Sequence, residues 1–207
     1  MDFVWEFFLG VATAIFGLIA PGMLNMTALK ISINVDRISG IKFSAGAVLI
    51  IFFQALVGVM FAKWLSRHEE VILLLKQLGI AVFYILAIYF FYLAYKNSKP
   101  GTNLDAPKGN YFWRGLGMSA LNMLSIPFYL AMGLVYSNKG WVQTDALDAL
   151  IFCLGAGVGS LGIFWLYLKF SNFIKNRVSF IAQNINVILG VIFVIIASST
   201  LYNLYLS

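Results

Sequence analysis

The amino-acid sequence predicts an all-α polytopic membrane protein, with six transmembrane helices arranged as two inverted three-helix repeats. Three observations lead there. Of the 207 residues, 61% are apolar and only 11% charged, whereas an ordinary soluble domain carries about 25% charged residues. The charges gather between six apolar runs, each long enough for the roughly 20 residues that a helix needs to cross the hydrocarbon core. A polar segment, 96–114, divides the chain into near-equal halves of three runs each. Two similar halves with an odd number of spans take opposite orientations, the inverted arrangement common among transporters.

The first run, Phe7 to Leu29, is interrupted by Pro21-Gly22. The acidic start Met-Asp-Phe-Val-Trp-Glu is unlike the basic start of a signal peptide, so this run is read as a retained helix. The second run is Phe43 to Ala62 and the third is Gln77 to Tyr95. Lys96 to Arg114 contains Asn97, Ser98, Pro100, Gly101, Asn103, Pro107 and Gly109, all loop formers. The fourth run, Gly115 to Asn138, contains Pro127; the fifth is Ala149 to Leu168, and the sixth lies within Val178 to Ser207. The expected organisation is one transmembrane domain, 1–207, with repeat one at 1–95, a cytoplasmic linker at 96–114 and repeat two at 115–207. A faint internal echo accompanies it. Leu9-Gly10 precedes Pro21 as Leu116-Gly117 precedes Pro127, Gly46 pairs with Gly155, and Leu78-Gly79 pairs with Leu189-Gly190.

Charge decides the expected orientation. With the N-terminus outside, the inner connections 30–42, 96–114 and 169–177 hold Lys30, Arg37, Lys42, Lys96, Lys99, Lys108, Arg114, Lys169, Lys175 and Arg177. Only Lys63, Arg67, Lys76 and Lys139 fall outside, with most of the acids. Positive charge collects on the cytoplasmic side of a membrane protein. The chain is therefore placed in a bacterial cytoplasmic (inner) membrane with both termini outside.

Several function classes lack the atoms they need. The net charge of +6 is spread over loops that meet anionic lipid, so no nucleic acid is expected as a partner. Cys153 is the single cysteine and lies in an apolar run, which excludes an intrachain disulfide, a redox pair or a four-ligand metal site. His68 is the single histidine and is expected in a loop, leaving no base at membrane depth to activate Ser119 or Ser125 as a nucleophile. The chain is not expected to be an enzyme or to hold a cofactor or metal. Its expected partners are a small-molecule solute, the lipid bilayer and, as an open option, a second copy of itself.

Chemistry is left to the interrupted spans. A proline removes a backbone donor and clashes with the preceding turn, so Pro21 frees the carbonyl of Gly17, and Pro127 that of Met123. An unsatisfied backbone group is costly in hydrocarbon, so such breaks belong where protein or water can satisfy them. Paired breaks in corresponding places of two halves are the best sequence pointer to a transport site. Thr13, Gly17, Pro21 and Asn25 are spaced by four and share a stripe if the helix is continuous, with Gly22 loosening the break. Ser119, Asn122 and Ser125 are spaced by three around the second break, just ahead of Pro127. The asparagines offer donors and acceptors to a zwitterionic solute; bonding between helices serves them equally well. Gln54 is read as an interhelical bonding residue. The Gly155–Gly162 run is read as close helix packing. No acid, Lys, Arg or His lies inside the runs; Glu6 and Asp36 flank them and are read as solvated surface charges.

The stretch Gly17-Leu18-Ile19-Ala20-Pro21-Gly22 followed by Asn25 resembles the N-terminal Pro-Gly-Pro signature of LysE-type amino-acid exporters, with Met23 at the second proline. Arg37-Ile38-Ser39-Gly40 and Gly46 resemble the basic loop that leads into that family's second helix. Leu121-Asn122-Met123-Leu124-Ser125-Ile126-Pro127 is similar to its Asn-Pro-Lys signature, with Met123 and Leu124 in the last two places. The resemblance covers the whole chain and implies a six-helix secondary transporter. Its work would be exporting amino acids or similar metabolites by alternating access, driven by the proton gradient or membrane potential. The alternative is a structural or assembly subunit of the membrane without transport, a role that does not call for a polar stripe.

Overall fold

The structure, a computed structural model, describes residues 3–20, 22–66, 68–96, 109–122, 124–141, 146–171 and 179–205. Their regular structure is all helical: α1 (Phe3–Leu18), α2 (Met23–Asn34), α3 (Arg37–Leu65), α4 (Glu69–Lys96), α5 (Tyr111–Ala120), α6 (Ser125–Asn138), α7 (Ala146–Lys169) and α8 (Ser179–Tyr205). Among the described residues, three helical stretches are long and apolar enough to cross a membrane: α3, the Gln77–Lys96 part of α4, and α7. The pair α1–α2 is bent by 78° and the pair α5–α6 by 61°, and counting each bent pair as one span brings the number to five. In α8 the apolar stretch found among the described residues is Gly190–Tyr202.

Local chemistry sets several helix ends. The Asp36 carboxylate caps α3, accepting from the Ser39 amide at 2.7 Å and the Ser39 hydroxyl at 2.8 Å, which satisfies one of the orphan donors of a helix start. These hydrogen bonds hold the Asp36 carboxyl below its ordinary pKa. Asn110 caps α5 by accepting from the Phe112 amide at 3.1 Å. At the end of α7 the Lys169 ammonium sits 4.5 Å from the Trp165 ring centre, a cation held over an aromatic face beside the negative helix end. The connection expected at 30–42 is largely helical. α2 continues to Asn34, and only Val35 and Asp36 separate it from α3.

The chain forms two compact units. The first, Met1–Arg67 with Ala106–Asn176, holds α1, α2, α3, α5, α6 and α7. Its core is built on Phe43, Ile51, Phe152 and Phe164, all almost fully buried. Tyr129 and Tyr136 of α6 meet Phe152 edge-on at 6.5 and 6.0 Å.

Two helix crossings in this unit are alike. A Cβ added at Gly10 of α1 would overlap the carbonyl of Phe152 in α7, and one added at Gly155 would overlap the carbonyl of Phe7. In the same way, a Cβ at Gly46 of α3 would overlap the carbonyl of Phe112 in α5, and one at Gly115 that of Phe43. Each crossing therefore rests on two Phe-x-x-Gly segments, each glycine seated on the carbonyl of the partner's phenylalanine. Only glycine permits backbones to approach so closely. The echo of Gly46 and Gly155 has this packing cause, whereas the residue of α5 that packs as Gly10 does is Gly115 and not Gly117, where a Cβ would meet nothing within 4 Å.

Contacts advance together along both chains of each pair. Phe7 lies by Gly155 and Ala14 by Gly159; Phe43 lies by Gly115 and Ala62 by Gly133. α1 thus runs parallel to α7, and α3 parallel to α5 and α6. The second unit, His68–Asp105 with Arg177–Ser207, is an antiparallel pair of α4 and α8. Phe91 covers Gly190, Phe83 and Phe90 stack on Phe193, and the hydroxyls of Tyr84 and Ser198 lie 3.0 Å apart.

Candidate functional site at the two helix breaks

Both breaks belong to the first unit, and each is held by a polar side chain from elsewhere. α1 ends at Leu18 and α2 starts at Met23, leaving carbonyls that no helical turn can satisfy. Asn25 reaches back to them: its Nδ2 donates to the carbonyl of Leu18 and, at 3.2 Å, to that of Ala20. The Tyr167 hydroxyl of α7 donates to the intervening carbonyl of Ile19 at 3.0 Å. Three successive carbonyls are thus capped. Asn25 is 1% exposed, and among the described residues no group donates to its Oδ1. Gly22 is the N-cap of α2, extended at φ −88 and ψ 175, with no side-chain cap.

At the second break, α5 ends at Ala120 and α6 begins at Ser125. Gln54 of α3 supplies the cap. Its Nε2 donates to the carbonyl of Ser119 at 3.0 Å and to that of Asn122 at 3.3 Å. The Asn122 side chain donates from Nδ2 to the Ser125 hydroxyl at 3.1 Å, within the break itself. Ser119 is fully buried and Gln54 is 7% exposed.

The two breaks are neighbours. Phe128, in the first turn of α6, lies against Gly17, in the last turn of α1. A Cβ added at Gly17 would stand 2.7 Å from Cε1 of that ring. Phe128 also stacks on Phe16 with centroids 6.4 Å apart. Gly17 is the small residue that admits the ring.

Several sequence expectations need correction. Thr13 and Asn25 do not share one helix stripe, because the 78° bend ends the helix between them. Thr13 is instead a buried strut. Its hydroxyl donates to the Leu9 carbonyl at 2.7 Å, so the Tyr136 hydroxyl, 2.8 Å away, donates to it and ties α6 to α1. At the first break the capped carbonyls are those of Leu18, Ile19 and Ala20 rather than that of Gly17. Pro127 does not interrupt a helix: it is the third residue of α6, where its missing N–H costs little. Among the described residues the Asn122 side chain bonds locally, to Ser125 at the start of α6. Pro21 and Met123 lie outside the described residues. Glu6, read as solvated, is 3% exposed, on the buried face of α1 with Gly10, Thr13 and Ala14. Asp36 is exposed as expected.

Gln54 bonds between helices as its polarity at depth suggested, and its target is the second break. Tyr167 carried no such signal, since an aromatic near the end of a span reads as an interface anchor. Among the described residues no group of three His, Cys, Asp or Glu side chains could hold a metal ion.

Long apolar helices, together with two bent helix pairs whose broken backbone is capped by polar side chains inside one unit, define a multi-pass membrane protein. The LysE type translocator family model matches residues 15–204. The chain belongs to that family. This is a transport family and not an enzymatic one, which makes the partners a small-molecule substrate and membrane lipid. No curated protein and no solved structure matches the chain.

Proposed function

We propose that the chain is a secondary transporter that exports amino acids or similar small metabolites across the cytoplasmic (inner) membrane by alternating access. The carrying observation is the meeting of the two breaks at Gly17 and Phe128, each with its backbone satisfied by a side chain rather than by a helical turn. The solute path runs past these breaks, by Gly17, Pro21, Gly22 and Asn25 on one side and Ser119, Asn122, Ser125 and Pro127 on the other. Thr13 braces the path through Tyr136.

Six spans in two inverted three-helix repeats, 1–95 and 115–207 joined by a cytoplasmic linker, with both termini outside, account for the packing directions. In that scheme the first span parallels the fifth and the second parallels the fourth, as α1 with α7 and α3 with α5–α6 do. The third opposes the sixth, as α4 opposes α8. The like Phe-x-x-Gly crossings occupy corresponding places in the two halves, which supports the same scheme. The test is purified protein in liposomes, loaded with one amino acid and challenged with a labelled panel. Time-dependent counterflow of at least one member is expected; equal counts in protein-free liposomes across the panel refute the carrier reading.

A further inference from the structure

At the second break two buried side-chain oxygens have no hydrogen-bond partner among the described residues. Gln54 Nε2 donates to two backbone carbonyls, which settles the orientation of the amide, since a flip would set oxygen against both. Gln54 Oε1 then points away from those carbonyls, and among the described residues nothing donates to it. The Ser119 hydroxyl, beside the carbonyl that Gln54 binds, is likewise without a partner among the described residues. It forgoes the bond to the carbonyl four residues back that Ser44 and Ser160 both make, at 2.9 and 2.8 Å. Buried polar atoms are rarely left so, and each such atom asks for an explanation.

The break joins the C-terminal end of α5, where the helix dipole is negative, to the start of α6, where it is positive. The opposing start of α6 offers few donors: the Ser125 amide is taken by the Asn122 carbonyl at 3.3 Å, and Pro127 has none. The backbone carbonyls of Ser119 and Asn122 each accept two hydrogen bonds already. Without a partner among the described residues are two neutral, buried oxygen acceptors, Gln54 Oε1 and Ser119 Oγ. A compact monovalent cation fits that chemistry.

We infer that Gln54 Oε1 and Ser119 Oγ receive the ammonium group of the transported solute, making the second break the subsite for its cationic head. This rests on the carrier reading above. Gln54 then has two tasks on one amide: its nitrogen holds the break open as a defined shape, and its oxygen reads the cargo.

The experiment uses the full chain in liposomes, with Ser119→Ala and Gln54→Leu variants. The probes are the amino acid that exchanges best and the 2-hydroxy acid with the same side chain, each measured in sodium and in choline buffer. Wild-type protein should prefer the amino acid. Ser119→Ala should lower amino-acid exchange by about tenfold, the scale of one hydrogen bond to a charged group, while hydroxy-acid exchange falls less, so the ratio narrows. Gln54→Leu should narrow it further. Without solute, Ser119→Ala should melt no lower than wild type, because its hydroxyl makes no bond among the described residues. An unchanged ratio in both variants overturns the inference. An unchanged ratio with altered sodium dependence assigns the oxygens to a free metal cation and also overturns it. If wild-type protein exchanges nothing in the panel, the carrier reading itself fails and this subsite falls with it.

Discussion

A Gly155→Ala substitution puts a methyl group where the carbonyl oxygen of Phe7 stands, with the Phe7 Cα only 3.1 Å away. Both obstacles are backbone, so no rotamer change relieves the overlap, and α1 must tilt or move off α7. Overpacking costs about 1–3 kcal/mol where neighbours yield, and a crossing made of backbone belongs at the upper end, about 3 kcal/mol. Alanine returns about 1 kcal/mol in helix propensity over glycine, which leaves a loss of about 2 kcal/mol. For a chain of this size about 1 kcal/mol moves the melting midpoint by about 2–4 °C, so a fall of about 4–8 °C is expected. Gly162→Ala, in the same helix, is the internal control. Its added methyl meets nothing within 4 Å, so the propensity gain stands alone and the midpoint should hold or rise. Thermal unfolding of both variants in one detergent reads the difference. Equal midpoints would show that the Phe-x-x-Gly crossing does not hold α1 to α7.

Tyr167→Phe removes the hydroxyl that caps the Ile19 carbonyl and should cost about 1 kcal/mol in the same melt, with slower counterflow; unchanged melting and counterflow would remove Tyr167 from the first break. Asp36 supplies a pH test. The Ser39 hydrogen bonds hold its folded carboxyl below the ordinary value of 3.8, so its contribution is complete above that value and is lost as pH falls through the depressed one. Asp36→Ala should therefore flatten the acid limb of the melting profile below about pH 4, and an identical acid limb in both proteins would deny the cap its charge.

Much of this architecture was legible because hydrophobic runs and prolines act locally. Pro21-Gly22 fell at the first break and Pro127 just after the second. The shapes of the breaks were not legible. A four-residue spacing places Thr13 over Asn25 only if the helix continues, and a 78° bend removes that condition. Pro127 looked like a kink because nothing in the run showed that α5 stops at Ala120 before it. Tyr167 and Ile19 meet across 148 positions, a separation at which a single sequence carries no pairing information. Glu6 illustrates the same limit: its charge is local, but its burial depends on what packs against α1. The Phe-x-x-Gly segments were visible as letters, yet their meaning needed the reciprocal overlap of each glycine with the other helix's carbonyl.

The paired glycine crossings also bear on how the unit can deform. Where side chains interlock, sliding one helix past another demands that rotamers jump together. At Gly10 with Gly155, and at Gly46 with Gly115, smooth main chain lies on smooth main chain, held by many small dispersion contacts. At both crossings the fit is therefore set by main chain rather than by interlocked rotamers, and any side chain larger than hydrogen at these four positions would have to displace backbone.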